Sequence, residues 1–200
     1  MTIHGLSVSG LLWGACEATF DPAMLDDPEL SWRLLVADQD VVIADRFMGE
    51  QRINVNATVG DFHVATKPCT ASYQLAVVID DSAQAITQVV RGDDLLPSAA
   101  RQQLVYEALE LGDPPAYYHL PLVVGEDGRR LAKRHGDTRV ASYREQGVAP
   151  ERILGLIGEW SGLGTRTSME LDDFVREFEL AKLPRERVIF QPADHRWLLA

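Results

Sequence analysis

Cysteine is scarce in this chain, and long apolar runs are missing. The 200 residues contain two cysteines, Cys16 and Cys69, which are too few for a disulfide framework or, by themselves, for a complete zinc site. Two isolated thiols are typical of a protein from a reducing compartment. No apolar run approaches the ~18 residues that a membrane span requires. The sequence therefore predicts a cytoplasmic location and no membrane partner.

Positive charge is also in short supply. Nineteen Lys and Arg residues against 30 Asp and Glu residues leave a formal net charge of −11. This balance excludes a global basic field for gripping nucleic acid, so any such contact needs a local basic patch. The Gly-rich phosphate loops, the nucleophile elbow and the His-Glu-x-x-His zinc motif are absent from the sequence as well.

The residues that are present have an ordinary globular composition, with 46% hydrophobic and 24% charged residues. Short apolar runs predict strands at 41–43, 47–55 and 61–65, with a hairpin connection at 56–60. Continuous apolar runs predict buried strands at 75–79, 86–90 and 120–124. Helical spacing and glycine stops predict helices at 97–111, 138–146, 150–160 and 171–180. The order of these elements predicts an α/β domain followed by helices.

Charged side chains follow two of the predicted buried strands. Asp80 and Asp81 follow the strand at 75–79, while Arg91 and Asp94 follow the next one. Ligands of open α/β sheets bind at the carboxyl ends of the strands, and a guanidinium can hold a carboxylate through two hydrogen bonds. The pattern predicts either a carboxylate-binding site at Arg91 or a structural ion pair between Arg91 and one of these aspartates.

A basic segment stands out from the acidic background. Four of the six residues 129–134 are basic, and the segment follows a turn that contains Gly125 and Gly128. A basic loop beside a nucleotide site can neutralise a departing pyrophosphate. The alternative is a solvated run of charge on the surface. The scattered histidines are interpreted as ordinary structural residues.

Six blocks occur in order along the chain and point to a family. They are Ser72–Asp81, Val89–Leu96, His119–Leu122, Gly128–Arg134, Tyr143–Gly147 and Pro150–Trp160. Over about residues 60–165 they resemble glutamyl-tRNA synthetases and their short relatives, the glutamyl-queuosine tRNA(Asp) synthetases. The chain ends at Ala200, where a glutamyl-tRNA synthetase would continue into a large anticodon-binding region, so the resemblance to the short type is closer.

The resemblance implies a fold and an activity. The fold is α/β: the second half of a class I synthetase Rossmann-like parallel sheet, followed by a small helical carboxyl-terminal cap. The expected segments are a lead-in at 1–40, the half catalytic domain at 41–136 and the cap at 137–200. Such enzymes activate L-glutamate with ATP and Mg²⁺ and then attach it to the queuosine of tRNA(Asp). ATP, L-glutamate and tRNA(Asp) are therefore the expected partners.

The resemblance also implies which residues of this sequence form the site, since the functional positions of the family fall within the blocks. Tyr73 and Arg91 match the glutamate-binding positions of the family, and Lys133 matches the lysine that contacts ATP. Ala132 replaces the usual serine of the KMSKS-type loop, while Arg130 keeps a cation where lysine is common. The expected loop residues are Arg130, Leu131, Ala132, Lys133 and Arg134. The expected supporting residues around glutamate are Asp80, Asp81, Asp94 and His119.

The amino-terminal region departs from the family pattern. Members begin with about a hundred further residues that carry a HIGH-type ATP motif, and residues 1–40 do not match them. Cys16 aligns with the last ligand of the family's zinc site, but the other ligands are missing, so we expect no zinc. The chain reads as the carboxyl half of the enzyme. Three hypotheses follow: a synthetase half completed by a separate amino-terminal chain, a longer protein whose start is misassigned, or a non-catalytic module that binds nucleotide or tRNA.

Overall fold

The structure is a computed structural model that describes residues 31–67, 70–131 and 138–200, together with the backbone of strand β1 (Leu6–Val8). The chain divides into two compact units, Met1–His119 and Leu120–Ala200. Among the described residues, no helix has the length and apolar character needed to cross a membrane. The division into segments 1–40, 41–136 and 137–200 stays a prediction.

The first unit contains an antiparallel sheet and a separate hairpin. Strands β1, β2 (Trp32–Leu34), β5 (Phe62–Thr66) and β6 (Thr70–Ala71) lie in that order in the sheet. Strands β3 (Asp40–Asp45) and β4 (Gly49–Asn54) form the hairpin, which confirms two of the predicted strands. Residues 56–60 were expected to connect strands as a hairpin, and this is wrong: helix α1 (Val55–Thr58) begins there because the Asn54 side chain accepts from the Ala57 N–H at 2.8 Å.

Alternation along β3 positions a carboxylate inside the protein. Val41, Ile43 and Asp45 face the core, and the residues between them are exposed. Asp45 ends the strand and accepts hydrogen bonds from the backbone N–H groups of Phe47 and Met48 at 2.9 and 2.6 Å. Gly49 completes the turn at a φ of +79°, a conformation that glycine adopts without steric cost. One aspartate thus shapes the turn and remains buried at the end of the strand.

The apolar run 75–79 forms a helix, so the predicted buried strand there is wrong. Helix α2 (Tyr73–Ala83) begins at Ser72, whose hydroxyl accepts from the Leu75 N–H. Its buried residues, Gln74 and Val78, are four positions apart, which is the spacing of one helix face. The β-branched residues favour a strand locally, but packing of one helix face against the core outweighs that preference.

A β–α–β unit follows α2 and carries the residues of the candidate site. Strand β7 (Gln88–Gly92) leads through a 3₁₀ turn (Asp93–Leu95) into helix α3 (Leu96–Ala108), and strand β8 (Ala116–Leu120) follows. Strands β7 and β8 are neighbours in a two-stranded sheet. Helices α2 and α3 pack against each other. The hydrophobic core of the first unit includes Val78, Ala99, Val105 and Tyr117. The predicted strand at 86–90 and helix at 97–111 are confirmed with shifted ends.

The second unit is mainly helical, as predicted for the carboxyl-terminal region. Its helices are α4 (Val140–Glu145), α5 (Pro150–Trp160), α6 (Leu171–Glu177) and α7 (Pro192–Leu199), with a 3₁₀ turn at Leu180–Lys182. Strands β9 (Val123–Val124) and β10 (Val188–Ile189) pair in parallel. The single strand predicted over 120–124 is wrong: β8 ends before Pro121, which has no N–H to donate to a ladder, and β9 starts after it.

Candidate functional site

The Arg91 side chain lies near the end of β7 and is held by two neutral partners. Its Nε–H donates to Nε2 of His119 at 2.9 Å, and Nη2 donates to the amide oxygen of Gln102 at 2.9 Å. The guanidinium carbon lies 5.0 Å from the centre of the Tyr117 ring. Only two of the five N–H groups of the guanidinium therefore have hydrogen-bond partners in the described part of the chain. The remaining N–H groups suit a carboxylate.

His119 connects Arg91 to the buried carboxylate of Asp45. The His119 ring is fully buried, and its Nδ1 lies 2.6 Å from Oδ2 of Asp45. The backbone N–H of His119 donates to the same carboxylate at 3.2 Å. Since Nε2 accepts from Arg91, the imidazole is neutral with its proton on Nδ1. The contacts define one network, Asp45–His119–Arg91–Gln102, which we call the Arg91 network.

Burial and hydrogen bonding set the charges in this network. Burial lowers the pKa of His119 below its usual value, and the charge of Arg91 lowers it further, although the hydrogen bond to Asp45 and the negative charge of Asp45 oppose both effects. Burial raises the pKa of Asp45, but hydrogen bonds from Met48, His119 and Phe47 outweigh it and hold the pKa below its usual value. At neutral pH the network thus contains a carboxylate, a neutral imidazole and a guanidinium.

Gln102 accepts the second hydrogen bond of the guanidinium, but its own amide NH₂ group has no partner in the described part of the chain. It is buried within α3, and its Nε2 has no hydrogen-bond partner in the described part of the chain. A buried N–H left unpaired costs about 1–3 kcal/mol. The amide is thus turned so that its oxygen accepts from Arg91, while its own donor remains unsatisfied.

Tyr73 is electrostatically coupled to the aromatic ring that Arg91 approaches. It is the first residue of α2, and 55% of its side chain is exposed. Burial raises the pKa of Tyr117 to about 12, Arg91 opposes that rise, and Tyr73 adds to it. Both residues that match glutamate-binding positions therefore act electrostatically on Tyr117, and Arg91 also lies over its ring. Their role in binding stays a prediction.

The three aspartates expected around the site lie at different places. Asp80 and Asp81 are on α2 and not at the end of a strand, which corrects the expected location. Burial raises the pKa of Asp81, and the charge of Arg91 opposes that effect, so Asp81 lies within electrostatic range of the guanidinium. Asp94 is exposed in the 3₁₀ turn after β7. The hydrogen bonds of Arg91 go to His119 and Gln102, both uncharged.

The second unit contains the start of the predicted KMSKS-type loop. A tight turn brings Gly125 N to the Arg129 carbonyl at 2.8 Å, with Gly128 at a φ of +71°. Arg130 is exposed and forms an antiparallel bridge with Val124, and Leu131 is half-buried. Ala132, Lys133 and Arg134 lie outside the described residues. The assignment of this loop to ATP therefore stays a prediction.

Two members of the Arg91 network, Asp45 and Gln102, were missed in the sequence. The alternation of Val41, Ile43 and Asp45 could have revealed the first, since it places an acidic residue on the buried face of a strand. Gln102 lies three residues before Val105 and so shares the buried face of α3. A polar residue on a core-facing position is the signal in both cases.

The described residues contain no group of three His, Cys, Asp or Glu side chains that could hold a metal ion. Cys16 lies outside this part of the chain. The expectation that no zinc is bound therefore stays a prediction.

A family model described as "tRNA synthetases class I (E and Q), catalytic domain" matches residues 27–194. The chain belongs to this family. It is 52% identical over 124 residues to a glutamyl-Q tRNA(Asp) synthetase of Rhodopirellula baltica, covering 60% of this chain and 37% of the relative. It is 42% identical over 192 residues to the enzyme of the same name from Symbiobacterium thermophilum, covering 92% and 58%.

Solved synthetase structures match the fold. A glutamate tRNA ligase from Elizabethkingia meningosepticum, in complex with its amino acid, superposes with a TM-score of 0.70 at 28% identity, covering 85% of this chain and 38% of that one. This likeness confirms the predicted fold class, an α/β synthetase domain with a helical carboxyl-terminal region. The chain spans between 37% and 58% of the length of the two glutamyl-Q relatives.

Proposed function

We propose that this chain supplies the glutamate-recognition site and the KMSKS-type loop of a glutamyl-queuosine tRNA(Asp) synthetase. Its proposed substrates are L-glutamate, ATP with the Mg²⁺ that its phosphates carry, and the queuosine of tRNA(Asp). These substrates meet in the cytoplasm, which is the proposed location. Two relatives named glutamyl-Q tRNA(Asp) synthetase, 52% and 42% identical, support this class over the longer glutamate–tRNA ligases.

The observation that carries the proposal is the Arg91 guanidinium, held from one side by neutral groups. If Asp45 contacted Arg91 directly, its carboxylate would compete with a substrate carboxylate for the same N–H groups. The neutral His119 ring lies between them, so Arg91 is oriented while its remaining N–H groups stay available in the described part of the chain. A planar guanidinium presented in this way suits a carboxylate in two-point contact.

The proposed reaction divides the work between two parts of the chain. A carboxylate oxygen of L-glutamate attacks the α-phosphorus of ATP, and the bond from that phosphorus to pyrophosphate breaks. Arg91 and Tyr73 hold the amino acid for this attack. The cations of the loop, Lys133 foremost, neutralise the negative charge that develops on pyrophosphate.

A separate amino-terminal half is the proposed partner for glutamate activation. In the described part of the chain, β7 pairs with β8 alone, so one edge of β7 has no strand beside it. Val90 on this strand is 61% exposed, and Ile86 just before it is 38% exposed. An apolar side chain on an unpaired strand favours the addition of another strand. The HIGH-type motif, absent from this sequence, would arrive with that half.

The glutamate site can be tested by binding alone. Titration of L-glutamate into the chain, followed by NMR chemical shifts, should shift resonances around β7 and α2. Loss of a charge-assisted hydrogen bond costs about 1.5–3 kcal/mol, so Arg91→Ala should weaken binding by about 10- to 100-fold. Arg52→Ala is the matched control, since Arg52 is an exposed arginine paired with Glu50 in the same unit. Equal affinity in wild type and Arg91→Ala would contradict the proposal.

A further inference from the structure

Asp45 is buried and does not contact Arg91, yet it is coupled to it through a single ring. Its carboxylate lies 2.6 Å from Nδ1 of His119, and the opposite nitrogen of that ring accepts from Arg91 Nε–H at 2.9 Å. The hydrogen bond at one ring nitrogen fixes the tautomer, and therefore the donor or acceptor role of the other. The role that His119 offers to Arg91 thus depends on Asp45.

We propose that Asp45 is a positioning residue for glutamate recognition, acting by locking His119 in the Nδ1–H tautomer so that Nε2 can only accept from Arg91. The effect on glutamate rests on the proposed function, since Arg91 is the residue that meets the substrate. The positioning itself is a property of this chain alone. It explains why a carboxylate occupies a core-facing position of β3, where an apolar side chain would otherwise pack.

The backbone supports this assignment of roles. Asp45 also accepts from the N–H groups of Phe47, Met48 and His119, so the carboxylate cannot turn away from the ring without losing several hydrogen bonds. The Tyr117 ring stacks near His119, with centroids 5.8 Å apart and planes 30° apart, which restrains rotation of the imidazole. Asp45 from β3, Arg91 from β7, the Tyr117 ring from β8 and the Leu95 carbonyl face the imidazole from the surrounding elements.

Replacement of the carboxylate by an amide should change the tautomer of the His119 ring. In Asp45→Asn, the amide oxygen can still accept from Phe47 and Met48, which turns the NH₂ group towards His119 Nδ1. The ring then accepts at Nδ1 and carries its proton on Nε2, where it opposes the Nε–H of Arg91. The guanidinium loses this partner, and its position is no longer fixed.

The test reads the tautomer and the arginine directly, at pH 7 and on the full chain. Long-range ¹H–¹⁵N spectra should show His119 as the Nδ1–H tautomer in wild type and as the Nε2–H tautomer in Asp45→Asn. The Arg91 Nε–H resonance should be protected from solvent exchange in wild type and lose that protection in the variant. Asp40→Asn, an exposed position on the same strand, is the matched control and should change neither signal.

Glutamate affinity gives the functional readout. Asp45→Asn should weaken L-glutamate binding roughly tenfold, as is typical for residues coupled in one hydrogen-bond network. An Nε2–H or doubly protonated His119 in wild type would overturn the positioning role, whether or not the variant folds. Unchanged Arg91 protection in a folded Asp45→Asn variant would also overturn it. Absence of glutamate binding by wild type, with the predicted tautomers observed, would contradict the proposed function and leave the positioning role standing.

Discussion

At the scale of single residues, the Arg91 network separates a buried negative charge from a positive one by a neutral ring. His119 is fully buried, and burial is the main cause that lowers its pKa. A direct contact between Asp45 and Arg91 would neutralise the guanidinium within the protein. Placing the ring between them keeps the charge of Arg91 free of a direct carboxylate contact, which the proposed binding of glutamate requires.

The same pKa shift predicts how stability depends on pH. The folded state keeps His119 neutral, whereas the unfolded chain takes up a proton near pH 6.5. The stability contributed by the neutral ring is therefore complete above about pH 6.5 and decreases as the pH falls towards the folded pKa, with a slope of up to about 1.4 kcal/mol per pH unit. Urea denaturation at a series of pH values should show this loss, and His119→Gln should remove it.

The control for this measurement is His195→Gln, which changes a histidine of the other unit and leaves the contribution of His119 in place. A separate loss of stability is expected at lower pH, because the pKa of Asp45 is held below its usual value. The stability that ionised Asp45 contributes is present above about pH 4 and disappears as the pH falls through the pKa of Asp45 in the folded state. If the stability of His119→Gln falls as steeply as that of wild type between pH 6.5 and pH 5, the conclusion that His119 is neutral in the folded protein would be contradicted.

Sequence reasoning identified part of this site for definite physical reasons. Tyr73, Arg91 and His119 lie in blocks that resemble a known family, so position alone was enough to single them out. Asp45 lies outside those blocks, and its partner His119 is 74 residues away along the chain. A pairing over such a distance leaves no local pattern, and the inward-facing position of Asp45 was the one usable signal.

At the scale of elements, local preference and tertiary packing disagree most clearly in α2. Val77, Val78 and Ile79 favour a strand by their β-branched side chains, yet Ser72 caps a helix and Val78 packs against the core. The helix α5 was predicted with correct ends, because Pro150 lies at its first turn and glycine follows it. Proline and glycine in the sequence thus located the helix ends. Whether a short apolar run forms a helix or a strand depended on what it packs against.

Glycine in α5 provides a prediction at this scale. A Cβ atom on Gly155 would overlap the backbone carbonyl of Thr167, lying 2.7 Å from its carbon. Backbone cannot move aside as a flexible side chain can, so Gly155→Ala should lower the free energy of unfolding by about 1–3 kcal/mol. Thermal or urea denaturation of the two variants measures the effect.

The matched control lies three residues further along the same helix. A Cβ atom on Gly158 would meet the flexible Met169 side chain, with the sulfur 3.4 Å away. Gly158→Ala should therefore be tolerated, and the better helix propensity of alanine should offset much of any crowding. Equal destabilisation by the two substitutions would show that the close approach of α5 to Thr167 does not determine stability.

At the scale of the whole molecule, charge is distributed unevenly along an acidic chain. The formal net charge is −11, while the segment 129–134 concentrates four cations. Non-specific attraction to RNA should be weak for such a protein, so the local cations are more useful at a small anionic group such as pyrophosphate. This argument favours a role for the loop in glutamate activation over a general role in nucleic-acid binding.

The central claim is that this chain contributes glutamate recognition and the KMSKS-type loop to a synthetase completed by another half. Glutamate-dependent exchange of pyrophosphate into ATP tests it most directly, with the chain alone and after co-expression with an amino-terminal segment that carries the HIGH-type motif. Loss of one preorganised donor can reduce the rate by about 10²–10³, and here a whole set of donors is absent from the chain. We predict no detectable exchange by the chain alone and measurable exchange by the co-expressed pair, in which Arg91→Ala impairs glutamate use and Lys133→Ala lowers the rate. Exchange by the pair that is unchanged in both variants, or exchange by the chain alone at the rate of a full-length relative, would contradict the account.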